Sequence, residues 1–65
     1  MLIEVEREDD GRWIAAVPAV PGALAYGATR EEAVTRVEAI TLRAIAERLE
    51  NGEAVLDLDG WFKAA

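Results

Sequence analysis

Thr29-Arg30-Glu31-Glu32 is the stretch on which the reading of this chain turns. A threonine followed three residues later by a glutamate marks a helix N-terminus. The Thr29 hydroxyl can accept from the backbone N–H of Glu32, the Glu32 side chain can reach back to the Thr29 N–H, and both acids suit the positive end of the helix dipole. The helix therefore starts at Arg30. Asn51-Gly52 supplies a left-handed C-terminal cap and ends it at about Glu50. At about 100° per residue, Ala33, Val34, Val37, Ile40, Ala44 and Ile45 fall on one apolar stripe, the natural face for packing on a sheet. Leu42, Ala46 and Leu49 form a second stripe, nearly opposite. One sheet cannot cover both sides of a helix, so this stripe is expected to join copies of the chain in a homo-oligomer.

Upstream of the helix the period changes from about 3.6 to 2. Leu2, Glu4, Glu6 and Glu8 alternate with Ile3, Val5 and Arg7, the pattern of a half-buried strand. Asp9-Asp10-Gly11 reverses the chain. A three-residue loop with Gly11 in the left-handed region sets Glu8 opposite Arg12 and puts Ile3 and Val5 on the face of Trp13, Ala15 and Val17. A two-residue turn would instead set Glu4 and Glu6 among the apolar residues, so the longer loop is preferred. The second strand, roughly 12–17, stops at Pro18. Pro18-Ala19-Val20-Pro21-Gly22 is a stiff connector, and Ala23-Leu24-Ala25-Tyr26-Gly27 is a short third strand.

Beyond the helix, Leu56-Asp57-Leu58-Asp59 alternates again and leaves room for a short fourth strand, followed by Trp61 and Phe62. Large aromatics there read either as core and self-association anchors or as contacts for another protein. The expected architecture is α+β: a small antiparallel sheet of three strands, with room for a fourth, packed on one long helix, in a single domain over residues 1–65.

Composition narrows the function. The 65 residues hold 7 Lys plus Arg against 13 Asp plus Glu, a formal charge of −6 that disfavours gripping a phosphate backbone. There is no His, Cys, Ser or Gln, and Lys63 is the sole lysine. Serine or cysteine nucleophiles, a histidine base, imidazole or thiolate zinc sites and disulfides are thereby excluded. No cofactor is expected. A chain of this size buries only about 60% of its unfolded surface, which adds to the expectation of self-association. The N-terminus lacks a cationic segment and a long apolar core, so it is no signal peptide. The uncharged run from Trp13 to Thr29 is broken by Pro18, Pro21, Gly22 and Gly27, which argues against a membrane span. A cytoplasmic, soluble protein is expected.

The acidic clusters have two readings. Glu4, Glu6 and Glu8 on one strand face, with Asp57 and Asp59 on another, could bind Mg²⁺ for phosphodiester cleavage. The simpler reading is a charged sheet face or edge that resists aggregation. Asp9-Asp10-Gly11 lacks the acid spacing of a calcium loop and is a hairpin turn. Gly22 and Gly27 form no phosphate cradle, and Glu31 and Glu32 would repel an anion at the helix start. Arg30, Arg36, Arg43 and Arg48 are spread around the helix as solubility and i,i+4 partners rather than as a basic patch.

Three runs taken together resemble the short HicB-type antitoxins: Asp10-Gly11-Arg12-Trp13-Ile14-Ala15-Ala16-Val17-Pro18-Ala19-Val20-Pro21-Gly22, Tyr26-Gly27-Ala28-Thr29-Arg30-Glu31-Glu32-Ala33, and Ala46-Glu47-Arg48-Leu49-Glu50-Asn51-Gly52-Glu53. The resemblance spans residues 2–53. It implies a partial RNase H-like fold, self-association, and neutralisation of a small basic toxin that cleaves mRNA. The chain departs from the pattern at Ala16 and Ala19, where acids are common, and at Ala23, often a cysteine. Contacts relying on those acids are not carried over, and the operator-binding domain of longer members is not expected here. The expected function is thus a non-enzymatic antitoxin. Glu4 and Glu6 steer the cationic partner, Trp61 and Phe62 anchor it, and Leu42, Ala46 and Leu49 hold the oligomer. The alternatives are a structural homo-oligomer or ligand-binding module that has lost its toxin, and a metal-dependent nuclease.

Overall fold

A computed structural model of the chain describes residues 1–55. Three strands, β1 (Glu4–Arg7), β2 (Trp13–Ala16) and β3 (Leu24–Gly27), precede one helix, α1 (Arg30–Glu50). They form one antiparallel sheet in the order β1-β2-β3, with the helix packed on one face, an α+β arrangement as expected. The fourth strand expected over 56–59, and Trp61 and Phe62 with it, lie outside the described residues.

The first hairpin has the expected register. Gly11 N–H donates to the Glu8 carbonyl at 3.0 Å, Glu8 N–H donates to the Arg12 carbonyl at 2.7 Å, and Gly11 takes φ +89°. That is a type I turn closed by a left-handed glycine, the favoured three-residue hairpin loop. Asp10 secures it, accepting from the Arg12 N–H at 3.0 Å and from Arg12 Nε at 2.8 Å. The backbone donor first, and then the guanidinium, hold the Asp10 carboxyl below its ordinary value of 3.8. Val5 stands opposite Ala15 and Arg7 opposite Trp13, which keeps Ile3 and Val5 on the side of Trp13, Ala15 and Val17.

The connector does more than join strands. Val20 N–H donates to the Val17 carbonyl and Ala23 N–H to the Val20 carbonyl, both at 3.0 Å, so two successive turns hinge on Val20. Pro21 and Gly22, the latter at φ +88°, supply the second turn. The hinge drives Val20 inward, where it is 1% exposed and, with Val37, one of the two largest fully buried side chains.

The helix begins and ends as the caps dictate. Glu32 N–H donates to Thr29 Oγ1 at 3.1 Å. The reciprocal half of the capping box is replaced, because the Glu32 carboxylate takes Arg36 Nη2 at 2.7 Å instead. At the other end Gly52 N–H donates to the Leu49 carbonyl and Glu53 N–H to the Arg48 carbonyl, with Gly52 at φ +76°, the Schellman arrangement. Ala33, Val37, Thr41 and Ile45 are the buried helix positions. The core they join is small-residued, with Ala15, Ala23, Ala25 and Ala33 beside Val17, Val20, Val37 and Ile45. Small side chains let the helix lie close. At Gly27 the approach is closest, for a Cβ there would stand 2.5 Å from the Ala33 backbone nitrogen.

Candidate protein-binding surfaces

Hydrogen-bond alternation fixes which backbone groups each sheet edge offers. Because Glu8 bonds to Arg12, residues 4, 6 and 8 turn their N–H and C=O toward β2, and Ile3, Val5 and Arg7 turn theirs outward. Val17 N–H donates to the Ala23 carbonyl at 3.0 Å, so on β3 it is Leu24 and Tyr26 that face outward. Among the described residues no strand lies beside β1 or on the far side of β3.

The sheet face away from the helix carries Glu4, Glu6, Ile14, Ala16, Leu24 and Tyr26. Glu4 aligns with Ala16 and Leu24, and Glu6 with Ile14 and Tyr26, so an apolar strip on β2 and β3 is bordered by two carboxylates on β1. Leu24 is 44% and Tyr26 39% exposed, so nothing described covers this strip. Arg12 lies 4.6 Å over the Tyr26 ring, but Asp10 pairs with it, and the face keeps a net negative border. Glu4 and Glu6 lie together with Val5, Ile14 and Ala16 around a shallow depression. Among the described residues no group of three carboxylates is arranged to hold a metal ion.

The helix is set off-centre. It packs chiefly against β3, less on β2 and least on β1. Beneath β1 the described residues leave a groove of about 280 Å³ lined by Met1, Ile3, Val17, Glu38, Thr41, Leu42 and Ile45. Its lining is mainly apolar, yet Thr41 Oγ1, on a residue only 6% exposed, makes no hydrogen bond among the described residues. An unpaired buried hydroxyl costs about 1–3 kcal/mol, which sets Thr41 apart from the apolar residues around it among the described residues. The expected second helix stripe proves continuous with this groove: Leu42 forms part of the wall, and Leu42 and Leu49 are 56% and 51% exposed. Ala46 between them is exposed as well.

The opposite flank differs in kind. The cleft along β3 is lined by Leu24, Ala25, Tyr26, Arg36, Ala39, Ile40 and Arg43. Arg36 Nη1 donates to the Tyr26 carbonyl at 2.9 Å and so occupies one of the outward groups of that edge.

The expected site residues thus separate. Glu4 and Glu6 share the outer sheet face; Leu42, Ala46 and Leu49 share the helix flank by the groove; Trp61 and Phe62 lie outside the described residues. Sequence reasoning missed Ile14, Leu24 and Tyr26 as a shared apolar strip, although the alternation that placed Glu4 and Glu6 outward places them there too. It also missed Thr41, whose polar side chain hid it among the buried helix positions. No helix among the described residues is long and apolar enough to cross a membrane. No known protein family, curated protein or solved structure matches the chain.

Proposed function

We propose that this chain is a cytoplasmic, non-enzymatic antitoxin that binds a small basic mRNA-cleaving toxin and covers the surface with which the toxin cuts. One observation carries the reading: an apolar sheet strip that no described residue covers, bordered by Glu4 and Glu6, in a chain of charge −6. A basic protein meets there both a field that speeds encounter and an apolar area to exclude water. The resemblance of residues 2–53 to HicB-type antitoxins supports the same partner class. Leu42, Ala46 and Leu49 are proposed to hold copies of the chain together, with Trp61 and Phe62 as further anchors for the partner.

A second reading, a homo-oligomer that has lost its toxin, is favoured by the exposure of Leu42 and Leu49 alone. Co-expression with the product of the neighbouring gene separates the two. The antitoxin reading expects a small basic protein that arrests growth, degrades RNA when alone, and is silenced by an equimolar amount of this chain. A neighbour that is neither basic nor toxic contradicts it.

A further inference from the structure

Asn51 is the sole asparagine and the chain has no glutamine, so it carries the only side-chain amide, and a glycine follows it. That order is chemically labile, because a glycine has no side chain to shield its backbone nitrogen, which can close on the asparagine Cγ. Two features of the helix end hold the reaction back. Gly52 N–H donates to the Leu49 carbonyl at 3.1 Å and Glu53 N–H to the Arg48 carbonyl at 2.8 Å, so the attacking nitrogen is engaged in the Schellman cap. Asn51 itself sits at φ −86° and ψ 3°. Ring closure needs the Gly52 nitrogen to eclipse Asn51 Cβ, and at that ψ it is turned far from it, so the capped geometry is not a near-attack one. Asn51, Gly52 and Glu53 are all exposed, and helix ends open locally with ease. The lock is only as firm as the cap. Asp10-Gly11, the matching dipeptide in the first hairpin, is doubly held. Gly11 N–H is bonded to the Glu8 carbonyl, and the Asp10 carboxyl, kept ionised by the Arg12 N–H and guanidinium, is a poor group from which to expel oxygen.

We propose that Asn51 is a self-modification site, converted to aspartate and isoaspartate by the Gly52 nitrogen at a rate set by opening of the helix cap. Water is the only co-reactant. The Gly52 N–H gives its proton to solvent base, the nitrogen bonds to Asn51 Cγ, the Cγ–Nδ2 bond breaks, and Nδ2 leaves as ammonia with a proton taken from solvent. Water then adds to either carbonyl of the cyclic imide. Cleavage at Cγ restores the main chain as aspartate; cleavage at the main-chain carbonyl of residue 51 reroutes it through the side chain as isoaspartate. Both products place a carboxylate at the carbonyl end of the helix, the negative pole of its dipole, where Glu47, Glu50 and Glu53 already stand. Isoaspartate also adds a methylene to the main chain, which puts Gly52 and Glu53 out of register with the Leu49 and Arg48 carbonyls. The consequence reaches past the cap, which sets the direction in which the chain leaves the helix toward Val55, a residue packed on the core. Opening permits modification, and modification keeps the cap open, so the change runs one way.

The test incubates the full chain and a synthetic peptide of residues 47–55 in the same neutral buffer and follows, by mass, the conversion of amide to acid. Peptide mapping assigns isoaspartate to Asn51 and counts Asp59-Gly60, outside the described residues, separately. Hydrogen exchange of the Gly52 amide in the fresh chain measures how often the cap is open. The folded chain should convert at least ten-fold more slowly than the peptide, by a ratio that matches the open fraction of the cap within about three-fold. Glu53→Pro removes the N–H that donates to Arg48 while leaving Asn51 and Gly52 in place, and should bring the folded rate several-fold closer to that of its matching peptide. If that variant fails to fold, denaturant below the unfolding transition replaces it and should accelerate conversion in step with Gly52 exchange. The aged chain should exchange its Gly52 and Glu53 amides several-fold faster than the fresh one, and an aged Asn51→Ala chain should not. Equal rates in chain and peptide overturn the proposal, as does a folded rate that departs from the open fraction by more than about three-fold. It is equally overturned if the modified chain keeps the exchange rates of the fresh one.

Discussion

At one edge of the sheet Arg36 reaches down from the helix to the Tyr26 carbonyl, and Arg43 lines the adjoining cleft. At the other, Glu4 and Glu6 stand on β1, whose outer edge adjoins no described strand, over a groove that the helix leaves open. The strands are equally short. What separates them is the link Ala28-Thr29, which carries the chain from β3 straight into the helix. Gly27 against Ala33 then pins the first helical turn over β3. A helix about 10 Å across that is centred there cannot also cover β1. The edge nearest the helix is closed by a helix side chain; at the distant one the described residues offer only the acids Glu4 and Glu6, which repel like edges.

The contrast can be broken most forcefully at Gly27. Gly27→Ala drives a methyl into the Ala33 backbone, so the helix must lift from β3 and Arg36 lose its carbonyl; chemical denaturation should show a loss of about 2–3 kcal/mol. Unchanged stability would mean the helix is not pinned there. The acidic edge is tested next. Glu4→Gln with Glu6→Gln should slow association with a basic partner about ten-fold at low salt, by stopped-flow, and leave stability within about 0.5 kcal/mol. Arg43→Gln at the other edge should leave that rate alone.

Smaller effects sharpen the picture. Thr41→Val removes the orphaned hydroxyl while keeping the shape, and should raise stability by about 1 kcal/mol in the isolated chain. A destabilised variant would show that the hydroxyl has a partner after all. Arg36→Ala should cost about 0.5 kcal/mol, since water can replace it at the exposed Tyr26 carbonyl and an exposed pair such as Arg36–Glu32 contributes little. With its guard gone, the β3 edge should also self-associate at high concentration, seen by light scattering. The slightest effect concerns the hairpin. Because the folded Asp10 carboxyl lies below its ordinary value of 3.8, its contribution is complete above that value and fades as pH falls through the lowered one. Acid titration of the melting temperature should show this loss, and Asp10→Asn should flatten it.

Much of this was legible in order along the chain. Thr29 and Glu32 placed the helix start, Asn51-Gly52 placed its end, and the separation of acids from apolar residues selected the Gly11 hairpin over its shorter rival. These are local signals, carried by residues whose backbone chemistry acts within a few positions. Val20 was not legible, because a valine between two prolines looks like connector until the two turns that swing it inward are known. Gly27 and Arg36 were hidden for the same reason: one is required by a neighbour six residues on and the other by a carbonyl ten residues back. The candidate surfaces divided likewise. Glu4 and Glu6 could be read from alternation, whereas the groove beneath them exists only because the helix sits off-centre.

The central claim, that the acid-bordered outer face of the sheet receives a basic partner, is tested most directly by backbone amide spectra of the chain titrated with the basic toxin. Perturbations should centre on Glu4, Glu6, Ile14, Ala16, Leu24 and Tyr26 and weaken as salt is raised. Perturbations confined to the helix flank of Leu42, Ala46 and Leu49, with none on the sheet, would contradict it.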